Sequence, residues 1–238
     1  MHLFVGTSGY SYKEWVGKFY PDKLPASAML GYYAERFTTV EINNSFYRMP
    51  AETMLARWAK EAPEQFVFTL KAPRRITHEK RLRGAEPDVA EFIRRASTLG
   101  KKLGALLFQL PPFHKKDFPL LTDFLGLLPS GQQAAFEFRH ASWQDDDVYE
   151  ALRIHGAMMC MAETDESDTP LVSTSDRGYL RLRRAQYSDD ALHAWIARIA
   201  AQPWERAYIY FKHEDKAWGP RFAQRFIKLW HTAQKAHE

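Results

Sequence analysis

The chemistry in this chain sits at the ends of short apolar runs. Glu41, Lys71, Glu137, Arg139 and Arg181 fall in Val40-Glu-Ile-Asn43, Phe66-Val-Phe-Thr-Leu-Lys71, Ala134-Ala-Phe-Glu-Phe-Arg139 and Gly178-Tyr-Leu-Arg-Leu-Arg183. If these runs are β-strands, every second residue shares a face. Val40/Ile42, Phe66/Phe68/Leu70, Phe136/Phe138 and Leu180/Leu182 then face one layer. Glu41, Asn43, Lys71, Glu137, Arg139 and Arg181 face the other, with Gln109 beside Leu107. In the last run, Ile209 and Phe211 outward leave Tyr208, Tyr210 and Lys212 inside. Burying charge costs several kcal/mol unless it is paired, so such a set is either an internal ion-pair network or a ligand pocket. As a pocket, Glu41 or Glu137 is the candidate general base, poised by neighbouring cations. Lys71, Arg139 and Arg181 are the candidate clamp for an anion or for developing negative charge. Thr7, Ser8, Asn43 and Gln109 are the groups that would orient the ligand.

Other motifs read two ways. Gly6-Thr-Ser-Gly-Tyr10 is an anion-holding turn or a plain one. The aromatics that follow, from Tyr10 through Tyr20, wall a pocket or pack over a rim. Lys71–Arg83 holds six Lys/Arg and one acid, and reads as a collar for phosphate or nucleic acid or as a solvated loop. Trp143, Tyr187 and Trp218 are candidate stacking platforms. Glu163–Asp168 is an acidic loop without calcium-loop spacing. Glu41, His78, Glu137, His140, Glu163 and His213 lie at or past the strand ends. This makes a divalent metal on Glu41, Glu137, His140 and His213 an alternative to the reading without any cofactor. A glycosidase pair of Glu41 and Glu137 is disfavoured, because strands two and five lie far apart around a ring. Cys160, among methionines, reads as an inert buried thiol.

The elements that must position these groups follow a regular beat. Strands are expected at 3–6, 38–43, 66–71, 105–109, 134–139, 157–163, 178–183 and 206–212, about one per βα unit. Helical patterns fill 27–36, 51–62, 86–99, 117–128, 145–155, 188–201 and 220–236. The interval 164–177 carries no helix and at most a short strand at 171–174. The expected class is α/β, a single (β/α)8 TIM-type barrel over 1–238 with a short or missing sixth helix. A doubly wound sheet is the runner-up, without the nucleotide fingerprint in its first βα turn. Active sites of such barrels sit at the C-terminal ends of the strands, where the ionisable set falls.

Composition narrows the classes. The chain has 238 residues, 16 Phe, 11 Tyr and 7 Trp, which argues against disorder. Its net charge of +4 permits anionic ligands. One cysteine excludes an intrachain disulfide. No apolar run is long enough for a membrane span, and the first residues lack a signal peptide's basic region, so the expected setting is cytoplasmic.

The order of motifs resembles the YecE-like family, domain of unknown function 72. The matching stretches are Gly6-Thr-Ser-Gly-Tyr10 with Trp15, Gly17 and Phe19-Tyr-Pro21; Val40-Glu-Ile-Asn-Asn-Ser-Phe-Tyr-Arg48; Lys71 with Ile76-Thr-His78; Gln109-Leu-Pro-Pro112; Glu137-Phe-Arg-His140 with Ser142-Trp143; and Tyr208–Phe211. The resemblance implies a TIM-type barrel and no assigned activity. Arg181–Arg184 and Phe211–Glu214 depart from the family's usual turns after strands seven and eight.

These readings yield one leading expectation. The barrel takes a small polar or anionic, phosphate-bearing molecule at its mouth, through Tyr10, Tyr47, His78, His140, Trp143 and Lys212 besides the residues above. Hydrolase, lyase or isomerase-type acid/base chemistry suits this set better than redox chemistry. The alternatives are a nucleic-acid-binding protein and a non-catalytic ligand-sensing barrel.

Overall fold

A computed structural model describes residues 1–212 and 215–235. Eight parallel strands close into a barrel in sequence order: β1 (His2–Ser8), β2 (Thr39–Ile42), β3 (Val67–Lys71), β4 (Leu103–Gln109), β5 (Ala134–Glu137), β6 (Met158–Glu163), β7 (Arg177–Leu182) and β8 (Arg206–Phe211). Among the described residues seven α-helices surround it: α1 (Met29–Ala34), α2 (Glu52–Glu61), α3 (Glu86–Ala96), α4 (Phe118–Leu125), α5 (Asp146–Ile154), α6 (Asp189–Ala200) and α7 (Trp218–Lys235). The (β/α)8 reading therefore holds, with its strands in the expected places.

Alternation along the strands builds two separate cores. Outward residues such as Val40, Ile42, Phe68, Phe108, Phe136, Leu180 and Ile209 pack against Leu55, Trp58, Phe92, Phe124 and Phe226 of the helices. Inward residues Phe4, Ala105, Leu107, Ala135, Met158, Cys160, Tyr179, Tyr208 and Tyr210 fill the barrel. The interior changes character from base to mouth. At the base, Phe4 stacks on Tyr208, with ring centroids 5.1 Å apart. Midway, the Tyr210 hydroxyl shares hydrogen bonds with Thr39 Oγ1 (2.8 Å) and Thr69 Oγ1 (2.7 Å). At the mouth the fill becomes ionic.

Among the described residues no helix separates β6 from β7. Between β6 and β7 the chain returns as an irregular segment, with Leu171 and Val172 packed on the outer core. The short strand expected at 171–174 does not form. Both edges of β6 are already taken by β5 and β7, so no ladder position remains. A side chain makes the link instead. Thr174 Oγ1 accepts from Met159 N (2.8 Å) and donates to Ala157 O (2.7 Å).

The barrel closes tightly at Gly6. A Cβ there would lie 2.0 Å from Thr39 O and 2.8 Å from the Tyr33 hydroxyl, which itself binds Thr7 N. A backbone carbonyl cannot swing aside, so Gly6→Ala is expected to cost about 3 kcal/mol through overpacking, read as a lower urea midpoint.

Candidate functional site

The top layer of the barrel is built around one arginine. Arg181 on β7 is buried, and its Nη2 donates to Glu41 Oε1 of β2 (2.8 Å) while Nη1 donates to Glu137 Oε2 of β5 (2.5 Å). Glu41 also accepts from Ser8 Oγ (2.7 Å) and the Tyr179 hydroxyl (2.6 Å). Glu137 accepts from Arg139 Nε (3.0 Å). Burial pushes the Glu137 carboxyl up, but the Arg181 and Arg139 guanidiniums outweigh it and hold it at about 2. Such a group is a fixed anion at neutral pH and not a proton acceptor. Glu41 lies beneath Arg181, closed off from solvent. The two carboxylates expected as general bases thus act as counter-ions to the plug.

Lys71, at the end of β3, is treated differently. Its Nζ donates to Gln109 Oε1 (2.7 Å) and sits 4.0 Å over the Phe46 ring. Among the described residues no carboxylate lies within 4 Å of it. Burial, helped by Arg181, lowers its ammonium to about 8. The amide nitrogen of Gln109 leans toward Glu137 without reaching hydrogen-bond geometry. Lys71 and Gln109 form the floor of a cleft of about 410 Å3, walled by Phe46, Tyr47, Arg74, His78 and Arg139. Among the described residues no carboxylate lines it. The His78 imidazole is lowered to about 4 by burial and by Lys71, Arg139 and Arg74, so it is neutral at physiological pH. Arg139 also borders a second hollow of about 650 Å3 whose far wall is acidic, with Asp165, Glu166 and Asp168.

The family model described as protein of unknown function DUF72 matches residues 4–238. The chain belongs to the DUF72 family. A DUF72 family protein (TM1631) from Thermotoga maritima superposes with a TM-score of 0.87 at 26% identity, covering 97% of this chain and 100% of that one. One from Enterococcus faecalis (EF0366) gives 0.80 at 16% identity, covering 96% and 95%, and shares the fold. UPF0759 protein YecE of Escherichia coli is 32% identical over 139 residues, 58% of this chain and 48% of YecE. UPF0759 protein YunF of Bacillus subtilis is 29% identical over 158 residues, 62% of this chain and 54% of YunF. The chain spans about half the length of these curated relatives.

In this DUF72 barrel the expected site residues separate into groups. Ser8, Glu41, Glu137 and Arg181 meet in the plug, and Asn43 touches it, with Oδ1 accepting from Arg181 Nη2 at 3.4 Å. Lys71, Gln109, Tyr47, His78 and Arg139 meet in the cleft. Thr7 does not reach the mouth. It lies on the outer side of β1, where its Oγ1 meets the Tyr33 hydroxyl at 2.9 Å. Tyr10 borders a different, smaller hollow with Tyr12, Asn43 and Trp58. Trp143 is fully buried, stacked on Phe138, and donates to His114 O at 2.7 Å, so its face is closed to a ligand. His140 turns back onto its own loop, its Nδ1 accepting from Ser142 N. Lys212 stands at the end of β8, outside the cleft walls, its N–H bonded to Leu182 O. Glu163 faces outward to the Tyr187 hydroxyl (2.5 Å) and Trp195 Nε1 (3.1 Å). His213 lies outside the described residues. Among those described, no three His, Cys, Asp or Glu side chains gather as metal ligands, and none of the described helices is long and apolar enough to cross a membrane.

Sequence reasoning overlooked Phe46 and Arg74 as cleft walls. Phe46 was visible inside the Ser-Phe-Tyr motif, and Arg74 inside the basic run, but neither carried a mark of its own. That run is also less available than its composition suggests. Arg75 and Lys80 both pair with Asp88, Arg74 pairs with Glu79, and Arg83 pairs with Asp117. The segment opens as a π-helical turn over Arg75–Glu79 and then places Arg81 and the buried Leu82 at φ +51° and +71°. Non-glycine residues in that region store about 1–3 kcal/mol each, held here by the packing of Leu82.

Proposed function

We propose that this barrel binds a small organic anion, a carboxylate or phosphate ester, in the cleft above Lys71. The carrying observation is the Lys71 ammonium itself. It is buried beside a neutral amide and an aromatic ring, while both nearby carboxylates are committed to Arg181 and Arg139. Among the described residues no carboxylate is directly paired with it, and a buried cation in that state is a standing cost unless something else supplies the negative charge. The cleft has room for a molecule of a few heavy atoms, two further cations on its walls and, among the described residues, no competing acid. Arg139 presents a planar fork suited to carboxylate or phosphate oxygens, and Arg74 can exchange its exposed ion pair with Glu79 at little cost.

The test is thermal unfolding at low ionic strength with inorganic phosphate, malonate or citrate, against chloride at matched ionic strength. A ligand at a hundredfold its Kd adds about 2.7 kcal/mol, a Tm rise of about 5 °C or more in a chain of this size. Lys71→Met is expected to abolish the rise. No rise with any polyvalent anion, or an equal rise in Lys71→Met, would sink the reading.

A further inference from the structure

We propose that Lys71 is an imine-forming lysine, whose Nζ attacks the carbonyl carbon of a small anionic oxo compound held in the cleft. This inference rests on the anion-binding reading above and goes beyond it by naming the reactive group and the substrate class.

Position is the first support. Lys71 ends β3 at the mouth, where its backbone is pinned. Ser45 Oγ donates to Lys71 O (2.6 Å), tying the Phe46 turn to the strand end. The side chain is held as well, by Gln109 Oε1 at 2.7 Å and the Phe46 ring at 4.0 Å. A nucleophilic amine needs this kind of fixation, because an attacking nitrogen must meet its carbon within about 3–3.5 Å along a defined line. Lys71 lines the cleft and keeps 9% of its surface exposed.

Reactivity is the second support. Only the neutral amine attacks a carbonyl, and desolvation next to other cations is a recognised way to obtain it near pH 7. Both conditions are met: Lys71 is 9% exposed, and Arg181 and Arg139 stand near it. At about 8, roughly a tenth of it is neutral at pH 7. A lysine locked in a salt bridge would lack this property, and here the local carboxylates are engaged by arginines.

The cleft supplies the remaining parts. The His78 imidazole, neutral at physiological pH, borders the same space, with its Nδ1 2.9 Å from Thr77 Oγ1. Arg74 and Arg139 would hold the substrate's anionic group while the carbonyl lies over Lys71.

The step balances without an added reactant. Lys71 attacks as its neutral amine, the ammonium proton having gone to solvent, and the nitrogen lone pair forms the C–N bond as the carbonyl π-bond opens onto oxygen. The carbinolamine oxygen takes one proton from solvent, relayed by His78, and one from the nitrogen, and leaves as water when the C–O bond breaks. The product is the protonated imine, carrying the charge the ammonium began with.

The experiment is reductive trapping of the full chain at pH 7.5. Pyruvate, as a 2-oxo acid, and dihydroxyacetone phosphate, as a phosphorylated ketone, are offered separately, each with sodium cyanoborohydride. Dihydroxyacetone serves as the uncharged control. Intact mass and peptide mapping give the site. The expected result is a single adduct on Lys71 with at least one of the two anions, formed at least ten times faster than with the uncharged control. It should be suppressed by inorganic phosphate and slowed in His78→Ala. Lys71→Arg, which keeps the charge but has no amine to form the imine, is expected to lose the adduct. Labelling scattered over surface lysines, with Lys71 unmodified, overturns the imine. If phosphate still raises Tm in that case, the anion-binding reading stands alone; if it does not, both fall.

Discussion

Arg181→Met is expected to destabilise the barrel by about 3–5 kcal/mol, a large share of the roughly 5–15 kcal/mol that holds a folded protein together. The reason is what remains behind. Glu41 and Glu137 are 0% and 1% exposed and share this one guanidinium. Without it Glu41 keeps two neutral donors, Ser8 and Tyr179, and Glu137 keeps the partly exposed Arg139 and, at 3.9 Å, Arg183. Two carboxylates then face each other across a low-dielectric interior, where desolvation outweighs the surviving bonds. The pH dependence should change as well. Glu137 is held at about 2, below its ordinary 4.5, so its contribution is present above 4.5 and lost as pH falls from there toward 2. In Arg181→Met that acid-side loss should shrink, because protonating the carboxylates now relieves repulsion. The triple change Glu41→Gln, Glu137→Gln, Arg181→Met removes every orphaned charge and is expected to recover most of the stability. Urea midpoints at pH 5 and 7 decide it. A single variant within about 1 kcal/mol of the wild type would show that the plug carries little.

The plug was legible in sequence because its strands alternate cleanly. Val40-Glu-Ile-Asn43 and Tyr179-Leu-Arg-Leu182 switch polarity at every step, and the pleat alone assigns a face to each residue. β6 offers no such code. Met158-Met-Cys-Met-Ala-Glu163 is apolar up to its last position, so nothing in it shows that Cys160 points inward and Glu163 outward. Loop residues are harder still. Trp143 and Phe46 both follow strand ends and are both aromatic, yet one stacks inside the outer core on Phe138 and the other walls the cleft under Lys71. What separates them is the backbone path between strand and helix, which spacing does not encode. The basic run shows the same limit for charge. Six cations in thirteen residues look like an electrostatic surface. Their partners Asp88 and Asp117 come from later in the chain and spend much of that charge locally. The cations that meet in one cleft come from separate strands and loops, Lys71, Arg74 and Arg139.

That concentration has a measurable cost, which sets the second large effect. Lys71→Met is expected to raise stability at pH 7 by about 2 kcal/mol while removing anion binding. The folded Lys71 ammonium sits at about 8 against an ordinary 10.5. At about 1.4 kcal/mol per pH unit the shift is worth roughly 3 kcal/mol against the folded state, and losing the hydrogen bond to Gln109 gives back about 1. The sign follows from proton counting. Below pH 8 both folded and unfolded chains hold the proton, and the full penalty stands. Between 8 and 10.5 the folded chain has released it and the unfolded chain has not, so wild-type stability rises with pH. Above 10.5 both are neutral and the penalty is gone. The advantage of Lys71→Met should therefore be greatest below pH 8 and close by about pH 11, a difference between two chains that cancels their other titrations. Saturating phosphate at pH 7 should reverse the ranking, since the anion supplies the missing counter-charge to the wild type alone. If Lys71→Met is less stable than the wild type at pH 7 without ligand, Lys71 is a structural ion and the cleft loses its strongest argument. If it is more stable, the barrel carries at its mouth a residue that folding alone would discard.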